Sequence, residues 1–570
     1  MIQSKKEIIR LLEEIAIYME LKGENPFKIA AFRKAAQSIE TDQRSLTEMG
    51  DITALSGIGK TTGQIIQTFL ETGSSPELLA LKEEVPAGLV PLLKVPGLGG
   101  KKLARLYQEL GVTDRSTLLA AAEAGKIEAL KGFGKKSSEK IVEGVKSLGE
   151  RPDGYPIYEV LKAARQVEAY LEQIPEIKQY QQAGSLRRLS ETVKDMDYVI
   201  STDQPEKVRA ALEAIPFQTE VIGAGDTKVS LELALDIQIS VDFRLVEPAS
   251  FPTTLHHFTG SKEHNIRMRQ LAKENKEKIS EYGVENESGK RKTFASEEAF
   301  FAHYNLPFIP PELRIDGTEI DRIKTAPPLL QQADIRGDLH MHTTWSDGAY
   351  SIREMIEACI AKQYDYMVIT DHGKFLRVAN GLDEKRLRNQ QEEIRKISAE
   401  YPEIDVYSGV EMDILTDARL DFEADFLQEL DFVIASIHSG FGQTEAEIMA
   451  RLKTACESPY VRLIAHPTGR IIVNRPPYRV NVPALIKLAK ATNTALELNA
   501  NPQRLDLNRE HLLLAAEAGV KIAINTDAHD TKHLDFMNLG VRAARKAWLS
   551  PPQILNTMTK EAFRQFILNK

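Results

Sequence analysis

Asp338-Leu-His-Met-His-Thr-Thr-Trp-Ser-Asp-Gly348 opens a segment in which short apolar runs alternate with helical text. The runs are Tyr366-Met-Val-Ile-Thr370, Val406-Tyr-Ser-Gly-Val410, Phe432-Val-Ile-Ala-Ser436, Arg462-Leu-Ile-Ala465, Ala495-Leu-Glu-Leu498 and Ile522-Ala-Ile-Asn525. Such alternation predicts parallel strands closed into a barrel. Nearly every run ends in a possible metal ligand: His372, Glu411, His438, His466, and Asp527 with His529, while the opening stretch adds His340, His342 and Asp347. The C-terminal strand ends of a β/α barrel share one mouth, so residues scattered along the chain become neighbours there.

The pairs His340/His342 and Asp527/His529 are two residues apart, which on an extended segment turns both side chains to one side. A single histidine at a strand end is more often a hydrogen-bonded core residue than a ligand. Nine such residues in register reverse that balance. Their nitrogen and oxygen donors, without any thiolate, suit two or three ions of the Mn, Zn or Fe type better than Mg alone. Several ions together can activate a water and stabilise the leaving oxygen of a phosphodiester. His511 and His533 lie in helical or loop text without a paired partner and read as surface residues.

Outward from this segment, 570 residues exceed what one core organises, so several domains are expected. Only two cysteines, Cys359 and Cys456, exclude a disulfide framework and a cysteine-rich zinc site. The net charge of -9 averages acidic metal sites against local basic patches and leaves the partner open. No apolar run has the length of a membrane span, and the opening MIQSKKEIIRLLEEIAIYMELKG reads as an amphipathic helix, not a signal peptide. A cytoplasmic monomer without a membrane partner is the expectation.

A second metal site is written in Lys194-Asp-Met-Asp-Tyr-Val-Ile200, where Asp195 and Asp197 share one face of a strand. Asp242 follows a further strand, Ile237 to Val241. Three clustered carboxylates repel unless divalent cations, here two Mg or Mn ions, neutralise them, which is what two-metal phosphoryl transfer needs. A lone D-x-D is usually a solvated surface pair. The context adds Gly184-Ser-Leu-Arg-Arg188, in which glycine exposes backbone N–H groups and Ser and Arg suit a polyphosphate.

Toward the N-terminus three glycine turns repeat: Leu55-Ser-Gly-Ile-Gly-Lys60, Val95-Pro-Gly-Leu-Gly-Gly100 and Leu130-Lys-Gly-Phe-Gly-Lys135. Each opens a helix, so Gly57, Gly59, Gly97, Gly99, Gly132 and Gly134 would present backbone N–H groups to a phosphate without reading sequence. Lys60, Lys101-Lys102 and Lys135-Lys136 add charge.

Three resemblances follow from these residues. Asp338 to Gly348, Thr370-Asp-His372 and Asn525-Thr-Asp-Ala-His529 resemble the polymerase and histidinol phosphatase (PHP) domain over about residues 334 to 570. That implies a distorted (β/α)7 barrel with a trinuclear centre. His340, His342, Glu411 and Asp527 would hold one ion, Glu411 would bridge to a second held by His438 and His466, and Asp347, His372 and His529 would hold the third. The aspartate trio with its glycine turn resembles the nucleotidyltransferase palm. His257-Phe-Thr-Gly-Ser-Lys-Glu-His-Asn265, Arg269 and Glu281-Tyr282 narrow the likeness to the X family of DNA polymerases. By that resemblance Ser185 and Arg188 bind the triphosphate, Asn265 contacts the incoming nucleotide, Phe258 and Gly260 shape its pocket, and Arg269 and Tyr282 touch the template side. His257 stands where the family has Tyr.

Asn25-Pro-Phe-Lys-Ile-Ala-Ala-Phe-Arg-Lys34 resembles the family's lyase domain, with Lys28 toward a 5′ phosphate. The lyase reaction needs a lysine amine, and the corresponding position holds Ile65, with Lys60 nearby. The expected fold class is therefore multidomain α+β and α/β. A lyase-like helical domain spans 1–80, a fingers-like helix-hairpin-helix domain 81–150, the palm 151–250, the thumb 251–315, a linker 316–333 and the PHP barrel 334–570. The expected function is template-directed gap filling from dNTPs on gapped or primed DNA during repair, with Mn-dependent 3′–5′ exonuclease and abasic-site endonuclease action in the barrel. A metabolite nucleotidyltransferase fused to a phosphomonoesterase, and a DNA-end-binding scaffold with structural metals, are the alternatives.

Overall fold

The computed structural model describes residues 5–41, 52, 55–93, 95, 98–130, 132–134, 138, 141–142, 145 and 154–568. It divides into two compact units, Met1–Asp153 and Gly154–Lys570.

The first unit is helical. Apolar residues at helical spacing on Lys5–Lys22 (Ile8, Leu11, Leu12, Ile15 and Met19) are all buried and pack with Phe32, Ile66, Leu103 and Leu106 of later helices. Each such side chain contributes about 1.5–3 kcal/mol on burial. Local chemistry sets the helix starts. Ser75 accepts from the Leu78 N–H ahead of Pro76–Glu84, and Asp114 forms a capping box with Thr117 ahead of Arg115–Glu123.

In the second unit a five-stranded sheet runs in the order Gln179–Gln182, Asp195–Ser201, Gln238–Val246, Lys228–Ala234, Gln218–Ala224. Strand Gln238–Val246 alternates buried and part-exposed positions through Phe243 and Leu245, so Asp242 lies within the strand and not after it. The apolar pattern ends that strand five residues early, at Val241, because a carboxylate interrupts the run. Tyr198 stacks on Phe243 under the sheet, with ring centroids 5.7 Å apart. Helices Phe251–Thr259, Lys262–Glu274 and Glu297–His303 and a three-stranded sheet follow, around Met268, Phe300 and Phe301.

The stretch 316–333 is packed: it carries the helix Glu319–Arg322, its Ile320 and Leu330 are buried, and the Arg322 guanidinium lies 4.5 Å from the Trp548 ring centre. Beyond it, seven parallel strands follow one another in sequence order, from Gly337–Asp338 to Ile522–Asn525. The Met341–Ala528 bridge joins the first segment to the last, so the barrel is nearly closed. Ser351 with Glu354 and Thr444 with Glu447 form the capping boxes of two barrel helices. Among the described residues no helix is long and apolar enough to cross a membrane.

Candidate metal centres

Parallel pairing of Asp195–Ser201 with Gln238–Val246 sets Asp197 directly opposite Asp242, and Asp195 opposite Ser240. The three carboxylates thus share one face at one end of the sheet. Burial first, then the charges of Asp195 and Asp242, pushes the Asp197 carboxyl up to about 7. Burial and Asp242 likewise raise Asp195. Lys228, 2.6 Å from one Asp242 oxygen, the Ser230 hydroxyl, donating to the other at 2.6 Å, and the nearby Arg244 charge compensate in part. A divalent cation fits the charge that this leaves.

The glycine turn abuts these aspartates. A Cβ at Gly184 would lie 2.1 Å from Asp197 Oδ2, and the residue has φ 57°, so no other residue type fits. Arg188 donates to the Thr259 carbonyl, and Gly260 lies beside its guanidinium. Asn265 Nδ2 donates to the His257 carbonyl at 2.8 Å. Arg244, missed in the sequence, covers the Phe258 ring at 4.3 Å from the same strand as Asp242. Gly184, Ser185, Arg188, Phe258, Gly260 and Asn265 are therefore gathered at one edge. Arg269 and Tyr282 are exposed, the latter facing Arg291. His257 is shifted down, by burial above all and also by Arg269 and Arg244, against Glu281.

A salt-bridged block stands behind this edge. Glu297 accepts from Arg187 at 2.6 Å and from the fully buried Arg314 at 2.8 Å. Burial opposes its charge, but the two guanidiniums hold its carboxyl at about 2.

At the barrel mouth Glu411 occupies the centre. It lies inside the long strand Asp405–Asp413. One carboxylate oxygen is 2.9 Å from His466 Nε2 and 3.3 Å from His438 Nε2; the other is 3.3 Å from His340 Nε2, 3.7 Å from His342 Nε2 and 2.9 Å from His372 Nδ1. Burial opposes the Glu411 charge, yet His438, His340 and His372 hold it well below the usual carboxylate range. Three donor groups have ligand atoms within 4.8 Å of one another: His342, Asp347, His372 and His529; His340, His342 and Asp527; and His372, Glu411 and His438.

A test of fit comes from the imidazoles. His340 Nδ1 lies 2.8 Å from Glu497 Oε1, which makes it the protonated nitrogen. Its Nε2 faces a Glu411 oxygen at 3.3 Å and Asp527 Oδ1 at 3.5 Å; burial opposes a charge on the ring, yet Glu497, Glu411 and Asp527 raise it well above the usual imidazole range. Buried carboxylates converging on one imidazole nitrogen call for positive charge between them, which a metal cation supplies once that nitrogen is deprotonated. His438 repeats the pattern, with Nδ1 3.2 Å from Asp413.

Asp527 and His529 are not on an extended segment as the spacing suggested. Asp527 has φ 53° and His466 φ 28°, left-handed values that cost strain in residues other than glycine and occur at functional sites. His533 is no plain surface residue either: its Nδ1 accepts from the His529 N–H at 3.2 Å and it stacks on Phe536. His511 is half-buried. Sequence reasoning also passed over Glu497, Asp413 and Asp371, the last of which accepts from Thr343, Ser346 and Gln390. Buried acids inside apolar strand text were the signal available.

In the helical unit Gly59 and Gly99 cap Lys60–Thr72 and Gly100–Leu110 without a side-chain cap, and a Cβ at Gly59, Gly99 or Gly134 would meet nothing within 4 Å. These backbone approaches are open. Gly57 has φ 102° and rests on Ser38, whose hydroxyl donates to the Ser56 carbonyl at 2.7 Å; Gly132 has φ 95°. Lys60 is exposed, Lys28 is paired with Glu24, and Ile65 packs against the helical core. Gly97, Lys135 and Lys136 lie outside the described residues.

Comparison with known proteins adds four family matches: a helix-hairpin-helix domain over residues 3–75, a SAM-like helix-hairpin-helix tandem over 89–147, a DNA polymerase beta thumb over 254–315 and a PHP domain over 338–501. A Bacillus subtilis (strain 168) protein named DNA polymerase/3′-5′ exonuclease PolX is 55% identical over 99% of both chains. A probable phosphatase of Syntrophotalea carbinolica is 26% identical over 38% of this chain and 90% of its own. Another, from Thermoanaerobacter sp. (strain X514), is 28% identical over 39% and 89%.

Proposed function

Because the chain belongs to the bacterial X-family DNA polymerases that carry a PHP domain, we propose a role for each of its two metal centres. The chain is a DNA polymerase with a 3′–5′ exonuclease, it binds DNA, and its activities use divalent metal ions.

Asp195, Asp197 and Asp242 hold two Mg or Mn ions; Ser185 and Arg188 take the triphosphate of a dNTP; Phe258, Gly260 and Asn265 line the nucleotide. Arg269 and Tyr282 face the template, and Lys28 with the glycine turns, Gly97 among them, holds backbone phosphates around a short gap. In the barrel His340, His342, Asp347, His372, Glu411, His438, His466, Asp527 and His529 hold two or three Mn, Zn or Fe ions. Bound ions would lower the pKa of a water and neutralise the leaving oxygen. Glu497 and Asp413 keep the imidazole lone pairs turned inward. The substrate is a DNA 3′ end, with abasic sites as a second target, and the enzyme works as a cytoplasmic monomer in repair.

The observation that carries the polymerase assignment is the register of Asp197 against Asp242 with Gly184 in contact. Gapped, end-labelled DNA with Mg or Mn, with and without dNTPs, tests it. Asp195→Ala or Asp242→Ala abolishes lengthening and spares Mn-dependent shortening; His340→Ala with His342→Ala does the reverse. Extension that survives either aspartate change refutes the assignment.

A further inference from the structure

The turn that bears Ser185 and Arg188 is gripped from the barrel. Arg542 donates to the Arg187 carbonyl at 2.6 Å, and Lys546 to the Leu189 carbonyl at 2.9 Å. Arg470 makes a two-pronged pair with Glu191, at 3.0 and 2.8 Å. Both carbonyls lie at the C-terminal end of the short helix Gly184–Arg187, where backbone acceptors lack helical partners and cations are favoured. Leu189 has φ 55°, so the chain reverses there and cannot satisfy these groups by continuing the helix. Ile472 and Leu505, from barrel loops, belong to the palm's own apolar core.

Arg542 and Lys546 stand on the barrel helix Met537–Lys546. That helix lies tight against the last barrel strand, since a Cβ at Gly540 would come within 2.4 Å of Ile524. At its other end the turn is fixed by the contact of Gly184 with Asp197. The turn is therefore held at its first residue by Asp197 and at its last by the hydrolytic domain.

We propose that Arg542 and Lys546 are positioning residues of the polymerase reaction, which set Ser185 and Arg188 at the height of the triphosphate above Asp197. The proposal rests on the reading of Ser185 and Arg188 as triphosphate ligands. It makes the barrel a structural part of the nucleotide site, independently of any metal the barrel holds.

The test uses the full chain, with Arg542→Met and Lys546→Met, which keep most of the side-chain volume and remove the donors. Arg545→Met is the matched control: it lies on the same helix, has the same charge and pairs with Glu312 at 2.5 Å, as Arg542 also does at 3.9 Å, but does not grip the turn, so it carries the loss of the Glu312 pair alone. Steady-state gap filling in Mg is measured against dNTP concentration, alongside Mn-dependent nuclease rates and melting temperatures. Loss of one hydrogen bond to each carbonyl raises the KM for dNTP about fivefold to twentyfold, while kcat changes far less. Nuclease rates stay at the unsubstituted level. Lys546→Arg, which retains donors, restores KM to within about twofold. A KM in Arg542→Met and Lys546→Met no higher than in Arg545→Met overturns the proposal, as does a rise that merely follows the loss of melting temperature across the three. Arg188→Ala separates the two layers: an unchanged KM there sinks the triphosphate reading itself, whereas a raised KM there with a normal one in Arg542→Met sinks only the positioning role.

Discussion

Glu497→Gln is expected to weaken the hydrolytic centre without touching a ligand. The carboxylate is fully buried and takes four donors. Oε1 faces His340 Nδ1 at 2.8 Å and accepts from Asn525 at 2.9 Å; Oε2 accepts from the His466 N–H at 2.7 Å and from Asn499 at 3.2 Å. An amide of nearly equal volume keeps one oxygen and turns an NH2 toward the other pair, so two donors lose their acceptor. Hydrogen bonds to a charged group are worth about 1.5–3 kcal/mol each, so the site loses roughly 3–6 kcal/mol of local stabilisation. The part that reaches the ions acts through the orientation and basicity of His340. Outer partners of this kind change metal affinity by about 10- to 100-fold, which is about 1.4–2.7 kcal/mol. The assay is the Mn concentration for half-maximal shortening of an end-labelled primer, with Mg-dependent extension by the same preparation as the reference. A half-saturating Mn concentration within about twofold of the unsubstituted protein would show that Glu497 does not set the His340 lone pair.

Three more outcomes are expected. Gly184→Ala places a methyl 2.1 Å from Asp197 Oδ2 at φ 57°; extension falls by about 100-fold or more with nuclease rates retained, and near-normal extension would mean that the turn can retreat. Glu297→Gln destabilises the thumb side by about 3 kcal/mol at neutral pH, since the folded carboxyl is held at about 2 against an ordinary 4.5. A depressed carboxyl stabilises above its unfolded value and loses that contribution as pH falls, so by about pH 3.5 the gap in urea stability narrows by about 1.4 kcal/mol; a gap independent of pH contradicts the assignment. Borohydride reduction with a gapped 5′ deoxyribose phosphate yields no covalent adduct, because Ile65 offers no amine to form a Schiff base; an adduct abolished by Lys60→Ala would give the chemistry to Lys60.

Much of this architecture is legible from side-chain chemistry alone. Histidines and carboxylates after apolar runs announce the barrel mouth, since only convergence of strand ends explains such repetition. The Asp195/Asp197 pair reads correctly because a strand repeats every two residues. Asp242 falls just beyond the strand end that the apolar pattern gives, because a carboxylate breaks that alternation within Gln238–Val246. Glu497 looked like a polar interruption of Ala495-Leu-Glu-Leu498; its role depends on His340, which lies 157 residues away. His533 was read as surface because its partner is the backbone of His529. Arg542 and Lys546 were invisible for a similar reason: basic residues on an amphipathic helix look solvated until the carbonyls that receive them are known.

The circular order of the barrel also dictates a timetable. His342 and Asp527 are 185 residues apart, and Arg542 lies 355 beyond the carbonyl it holds. Chains emerge from the ribosome N-terminus first, and contacts this distant cannot form until Asp527 and Arg542 have themselves emerged. The helices of the first unit and the strands of the aspartate sheet precede these residues in the chain, whereas the nuclease centre includes Asp527. Nor can the nucleotide turn be seated before Arg542 and Lys546 are made, so both catalytic sites wait for the same stretch of chain, residues 527–546. A chain cut short of residue 527 would be left without a degradative activity, and with its polymerase turn loose.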